Sequence, residues 1–218
     1  MKQLDWFLHS GLINSQHTIN DGLDIDTCKP RGQVFTYNQG IILGALVEMH
    51  RLTANSTYLD LASTLAHAAI KHLAAPQEGI LSEPNTLHPP YKVGSSWYND
   101  DQQFKGIFAR NLMELQKIAP DEKYADFLKH NADSIWNNDR QADGQLGSLW
   151  QGPVVGLSAA SQGSALDCLV AAAALDKVSS TTEAAETFTP SPTVTPTTTA
   201  AVEVETVVIV VTVTASSG

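Results

Sequence analysis

The chain has 218 residues and a formal net charge of −10 at pH 7, enough length for one good-sized domain, or for a domain with a tail. Of its 23 acids, Glu183, Glu186, Glu203 and Glu205 fall after residue 178, which leaves 19 acids against all 13 bases in the body. An acidic body without a basic cluster argues against nucleic acid and anionic membranes as partners, and it suits a neutral polymer such as a polysaccharide.

In chain order, the first predicted element is an amphipathic helix over 2–9. The same residues do not read as a secretory leader, which needs a charged start and then an apolar run. Asp21-Gly22-Leu23-Asp24 reads as a turn, and Cys28 falls in a loop. Helices are expected over 38–53, 57–74, 101–118, 121–138 and 158–176. The run 40–49 is apolar nearly all round, as is 157–175, so both are expected to be buried on most sides. The segment 57–74 carries its larger apolar groups at Leu61 and Leu65. The segment 121–138 directs Tyr124, Phe127, Leu128, Ile135 and Trp136 to one side.

Buried helices alternating with amphipathic ones predict an all-α fold of two layers, inner and outer. The short connections at 53–56 and 119–121 make consecutive helices antiparallel hairpins. The longer connections, 76–98 and 139–156, should gather where the inner helices begin, and a cleft would form there. The inner helices do not start at a constant spacing, so no regular helical solenoid is read.

Cys28 and Cys168 have neither metal-like nor redox-like spacing, and they can either pair or stay as buried free thiols. Asn55-Ser56-Thr57 is a glycosylation sequon, relevant only to a secreted chain. The domain is placed at 1–178 and a Ser/Thr/Pro-rich tail at 179–218, stalk-like at first and β-prone over 202–213. The apolar run 207–211 is far shorter than the roughly 20 residues a membrane-spanning helix needs, and the chain end makes a weak lipid-anchor signal.

The residues that carry chemistry cluster at predicted helix starts. In Ser96-Trp97-Tyr98-Asn99-Asp100-Asp101, two adjacent carboxylates follow two aromatics and open a helix with Phe104, Ile107, Phe108, Leu112 and Leu115 on one face. Aromatic rings stack on sugar faces and carboxylates handle sugar hydroxyls and oxocarbenium-like charge. Asn99 and the acids serve equally well as a helix cap. Tyr37, Asn38 and Gln39 open the first inner helix with donors and acceptors suited to hydroxyls, although Asn38 also fits a cap. Glu83, in the loop 79–84, is by itself more often a merely solvated acid. Nothing in the sequence calls for a metal or other cofactor.

Five strings in order resemble fungal members of glycoside hydrolase family 76, the endo-α-1,6-mannanase-like proteins of yeast and mould cell walls. They are Leu4-Asp5-Trp6-Phe7 with Ser10-Gly11-Leu12-Ile13; Asp21-Gly22-Leu23; Phe35-Thr36-Tyr37-Asn38-Gln39-Gly40; Gly79-Ile80-Leu81-Ser82-Glu83-Pro84; and Asp101 through Arg110. The resemblance spans nearly all of 1–176 and implies an (α/α)6 barrel of six hairpins, of which six helices make half. It also implies an adjacent Asp-Asp catalytic pair in the first half of the barrel, whereas this chain corresponds to the second half. The nucleophile and acid/base roles are therefore not carried onto Asp100 and Asp101.

The candidate substrate-binding set is Tyr37, Asn38, Gln39, Glu83, Trp97, Asp100, Asp101 and Lys105, lining one wall of a mannan cleft. The resulting expectation is a truncated relative of a cell-wall mannanase or transglycosidase, inactive alone. Its complete form would be extracellular or wall-associated. A half-barrel would also be marginally stable or self-associating through its open face. The alternatives are a non-catalytic carbohydrate-binding or wall-anchoring module, favoured by binding without product release, and a plain helical scaffold, favoured by the absence of sugar binding.

Overall fold

A computed structural model describes residues 2–76, 78–84 and 100–186, with side chains placed through 175. Six helices carry the fold: α1 (Lys2–His9), α2 (Thr36–Thr53), α3 (Thr57–Leu73), α4 (Phe104–Ile118), α5 (Glu122–Asn138) and α6 (Ala159–Glu186). A 3₁₀ turn, Asp101–Gln103, leads into α4. The expected turn at 21–24 opens a minimal antiparallel hairpin in which β1 (Gly22–Leu23) pairs with β2 (Pro30–Arg31).

The expected layers are present. The inner layer is α2, α4 and α6, with α4 in the middle, and α3 and α5 pack behind it. The inner helices run parallel. Near its start, α2 touches α4 through Gly40 against Ile107 and Phe108; near its end, Arg51 reaches Glu114 at 3.2 Å. In the same sense α4 touches α6 through Gly106 against Ser164, and Arg110 pairs with Asp167 at 3.0 Å.

The two glycines set how closely these helices approach. A Cβ at Gly40 would fall 2.6 Å from the Phe108 Cα, and one at Gly106 would fall 2.6 Å from the Ser164 Cα. Gly106 also donates its backbone N–H to the Ser164 Oγ at 2.8 Å. Behind these contacts the core is continuous, with Leu43, Leu46, Leu65, Phe108, Leu112, Leu115, Leu128 and Ile135 fully buried. Tyr124 is buried with them and spends its hydroxyl on the Ser63 Oγ at 2.8 Å.

Four expectations are corrected. Helix α2 begins at Thr36, two residues early, and Asn38 lies inside it and does not cap it. The first turn is instead satisfied from a distant loop, by the Glu83 carboxylate. Trp136 is exposed and not packed, because its ring lies 4.1 Å from the Arg140 guanidinium on the outer surface. Helices α2 and α6 are not buried all round: as the two edges of the inner layer, each leaves one apolar strip open. Cys28 and Cys168 are both free; Cys28 is exposed, and only Cys168 is a buried thiol, its pKa pushed up to about 12 by burial.

The tight inner contacts give a direct test. Gly106→Ala would press a methyl into the backbone of α6, at a cost of about 1–3 kcal/mol. Thermal unfolding of that variant should come several degrees below the parent chain.

Candidate substrate-binding cleft

Because the inner helices are parallel, their N-termini share one end of the layer. The chain arriving there brings Phe35 and Tyr37 from α2 and Phe104 from α4 into one aromatic cluster. The Tyr37 and Phe104 rings are 4.3 Å apart, and Phe35 meets Phe104 edge-on at 5.5 Å. Phe35 is buried, while Tyr37 and Phe104 keep part of their surface in solvent.

Above this cluster, Asp21 Oδ1 accepts two hydrogen bonds, from the Tyr37 hydroxyl at 2.7 Å and from Asn38 Nδ2 at 3.0 Å. Partial burial, then the neighbouring Asp21 carboxylate, raise the Tyr37 pKa, so the phenol stays neutral. Asp100, one step away at the start of the 3₁₀ turn, is exposed. At the same end of the layer a cavity of about 520 Å³ opens between the 143–146 turn and the start of α6, bounded by Leu157, Ser158 and Gln162.

A second tier lies beneath, and it is charged. Lys105 is only 2% exposed; its Nζ donates to the Ser148 carbonyl at 2.8 Å and lies 5.2 Å from the centre of the Trp150 ring. Burial lowers its pKa, and the charges of Glu83, Asp139 and Asp101 oppose that shift. Glu83, 1% exposed, accepts the Thr36 backbone N–H at 3.1 Å and the Thr36 hydroxyl, and so caps α2 at the positive end of its dipole. Burial pushes Glu83 up to about 7, against the pull of Lys105 and the bonds from Thr36. Asp101 is raised for the same first reason, while Lys105 works the other way.

The sequence-predicted set therefore splits. Tyr37, Asn38 and Asp100 reach the surface at this end of the layer. Glu83, Asp101 and Lys105 form the buried tier. Gln39 is also internal and spends its amide on backbone, accepting from the Ile19 N–H at 2.8 Å and donating to the Ile19 and Phe35 carbonyls. It acts as a strut, with no face offered to a sugar. Trp97, with the expected Asn99 cap, lies outside the described residues. The adjacent acids Asp100 and Asp101 differ in environment, one in solvent and the other beside a buried ammonium.

Sequence reasoning read Asp21 as part of a turn rather than a site, and passed over Asp139. Asp139 is fully buried at the C-cap of α5, and among the described residues no group meets either of its oxygens at hydrogen-bonding geometry, although the Leu149 N–H approaches. Burial raises it to about 8, with Lys105 pulling the other way. One signal was available: an acid at the negative end of a helix dipole is unfavourable and calls for a compensating cation. Among the described residues no cluster of His, Cys, Asp and Glu is placed to hold a metal ion.

The family model of glycosyl hydrolase family 76 matches residues 1–185. The chain belongs to that family. This family 76 chain is similar to solved structures over about 80% of its length. The Lin0763 protein of Listeria innocua is 25% identical, with a TM-score of 0.66, covering 81% of this chain and 50% of its own. An inactive double-aspartate variant of the GH76A α-1,6-mannanase of Salegentibacter sp. HEL1_6, solved in complex with α-1,6-mannotriose, is 25% identical. Its TM-score is 0.64, and the match covers 80% of this chain and 51% of its own. Dfg5 of Chaetomium thermophilum, at 19% identity and a TM-score of 0.67 over 81% of this chain and 45% of its own, shares the fold. A comparison with curated proteins gives no match. The family 76 chain thus spans about half the length of the solved relatives it matches, and its helices follow their six-hairpin barrel.

The buried tier predicts a pH effect with a definite sign. Glu83 and Asp139 hold protons in the folded state that the unfolded chain releases, so their contribution to stability is greatest below about pH 4 and is lost as pH rises through about 7 and 8. Asp139→Asn removes the titration at one site. Its melting temperature should therefore gain steadily on that of the parent chain between pH 4 and pH 8 in a series of thermal melts.

Proposed function

We propose that this chain supplies one wall of an α-1,6-mannan-binding cleft at the N-terminal end of its inner helices, and that it holds the glycan without cleaving it. The observation that carries this reading is the anchored surface pair Tyr37 and Asn38. Both are fixed on Asp21, and the Tyr37 ring is backed by Phe104, so a flat aromatic face and hydroxyl-binding groups are oriented before a sugar arrives. The mannotriose complex of the similar Salegentibacter mannanase supports an α-1,6-linked mannoside as the ligand.

Glycan cleavage with retention needs two carboxyl groups about 5–5.5 Å apart, both facing the scissile bond. The adjacent pair in this chain does not fit that role, because Asp101 is buried beside Lys105. Its charge goes to holding the helix starts together. As a family 76 chain acting on mannan, the protein would work outside the cell or at the cell wall, with the catalytic carboxylates contributed by the barrel half that pairs with this one.

Titration calorimetry with α-1,6-mannotriose tests the reading. Saturable binding should appear, with no release of mannose or mannobiose on long incubation. Tyr37→Ala should weaken binding about tenfold, a loss of about 1.4 kcal/mol. Absence of binding at millimolar ligand would point to a helical scaffold, and release of product would overturn the non-catalytic assignment.

A further inference from the structure

The sequence contains a single Asn-X-Ser/Thr triplet, Asn55-Ser56-Thr57, and the structure places it in the turn from α2 into α3. All three residues are exposed. Helix α2 stops just before them because Ala54 takes a left-handed conformation, φ 55°, and donates its N–H to the His50 carbonyl at 2.8 Å. The next carbonyl, that of Asn55, lies 3.1 Å from His50 Nδ1, which steadies the turn. The Asn55 side chain then opens α3. Its Oδ1 accepts the Thr57 backbone N–H at 3.0 Å and the Thr57 hydroxyl at 2.9 Å, satisfying a donor that the helix start would otherwise leave open.

This side chain divides its work between its two polar atoms. Both bonds to Thr57 use the amide oxygen, and among the described residues nothing accepts from the amide nitrogen, Nδ2. The turn also stands at the far end of the layer from the candidate cleft. Helix α2 has 18 residues, so at about 1.5 Å per residue Asn55 lies roughly 25 Å along the axis from Tyr37 and Asn38. A bulky hydrophilic group on Nδ2 would project into solvent, away from the sugar-facing surface, and would leave the start of α3 intact.

We propose that Asn55 carries an N-linked oligosaccharide in the exported protein. The proposal rests on the reading that the chain works outside the cell, and it is independent of what the cleft binds. The exposed asparagine, with a threonine hydroxyl two residues on, is the acceptor. The donor is an oligosaccharide linked through its first N-acetylhexosamine to a polyprenyl diphosphate. Asn55 Nδ2 attacks the anomeric carbon of that sugar. The new C–N bond forms as the C–O bond to the diphosphate breaks, the polyprenyl diphosphate leaves with the electron pair, and Nδ2 gives up one proton. The product amide keeps Oδ1 and one N–H, so both bonds to Thr57 survive the change.

The test is expression of the full 218-residue chain behind a secretory leader in yeast, with cells and medium analysed together so that folding and export do not decide the result. Endoglycosidase H should shift the parent chain to lower apparent mass. Trypsin cuts after Arg51 and Lys71, and peptide-N-glycosidase in heavy-oxygen water should leave a labelled aspartate at position 55 of the 52–71 peptide. Asn55→Asp, which keeps an oxygen for the Thr57 N–H, should abolish the shift, as should Thr57→Ala, while Ser56→Ala should retain it. The same labelled peptide is expected from the protein isolated from the cells that make it. A chain modified in yeast but bare in its own cells overturns the proposal through the export on which it rests. A chain bare in both overturns it at the site itself, and so does a shift that survives Asn55→Asp.

Discussion

One buried ammonium sets the geometry of the candidate cleft. Lys105 leaves water in the first turn of the central helix, and an isolated charge there would cost several kcal/mol. Three acids feel its charge, Asp101 from its own turn, Glu83 from the loop after α3 and Asp139 from the end of α5, and it holds each of them below the pKa that burial alone would give, while the Ser148 carbonyl accepts its N–H. Segments far apart in sequence are thereby pinned to one point.

This arrangement explains why the surface above it is ordered. Glu83 holds the start of α2, so Tyr37 and Asn38 leave the helix at fixed angles toward Asp21, and Phe104, in the turn beside Lys105, backs the Tyr37 ring. The candidate cleft is thus built in two tiers, charged and dry below, polar and aromatic above. Residues of one sequence motif divide between the tiers: Asp100 from Asp101, and Tyr37 from Gln39. Their chemistry follows their burial, although they are neighbours in sequence.

The helices were legible because apolar spacing is a local signal. All six expected segments are present, with α4 and α5 within a few residues of their predicted bounds. What escaped was non-local. Glu83 reads as a loop acid until Thr36, 47 positions away, is seen to need a cap. Trp136 fits the buried face of α5 by periodicity, yet the layer behind it ends and Arg140 takes the ring. The apolar runs of α2 and α6 suggested helices covered on every side, while their exposed strips reflect how many inner helices stand in the row. No window of residues records that number. Among the site residues, Tyr37, Asn38 and Asp100 were legible as surface groups; the internal roles of Gln39 and Lys105 depend on the backbone of residues 19, 35 and 148, which no spacing rule connects to them.

The cap on α2 also imposes an order on folding. The first turn of this helix stays unsatisfied until the chain through residue 83 has been made and folded back, which requires the α2–α3 hairpin to form before the helix start can close. Long-range closure of this kind slows the late steps of folding. The end of α2 that carries Tyr37 and Asn38 is therefore tied to a residue 47 positions away, so this surface takes its shape together with the scaffold beneath it.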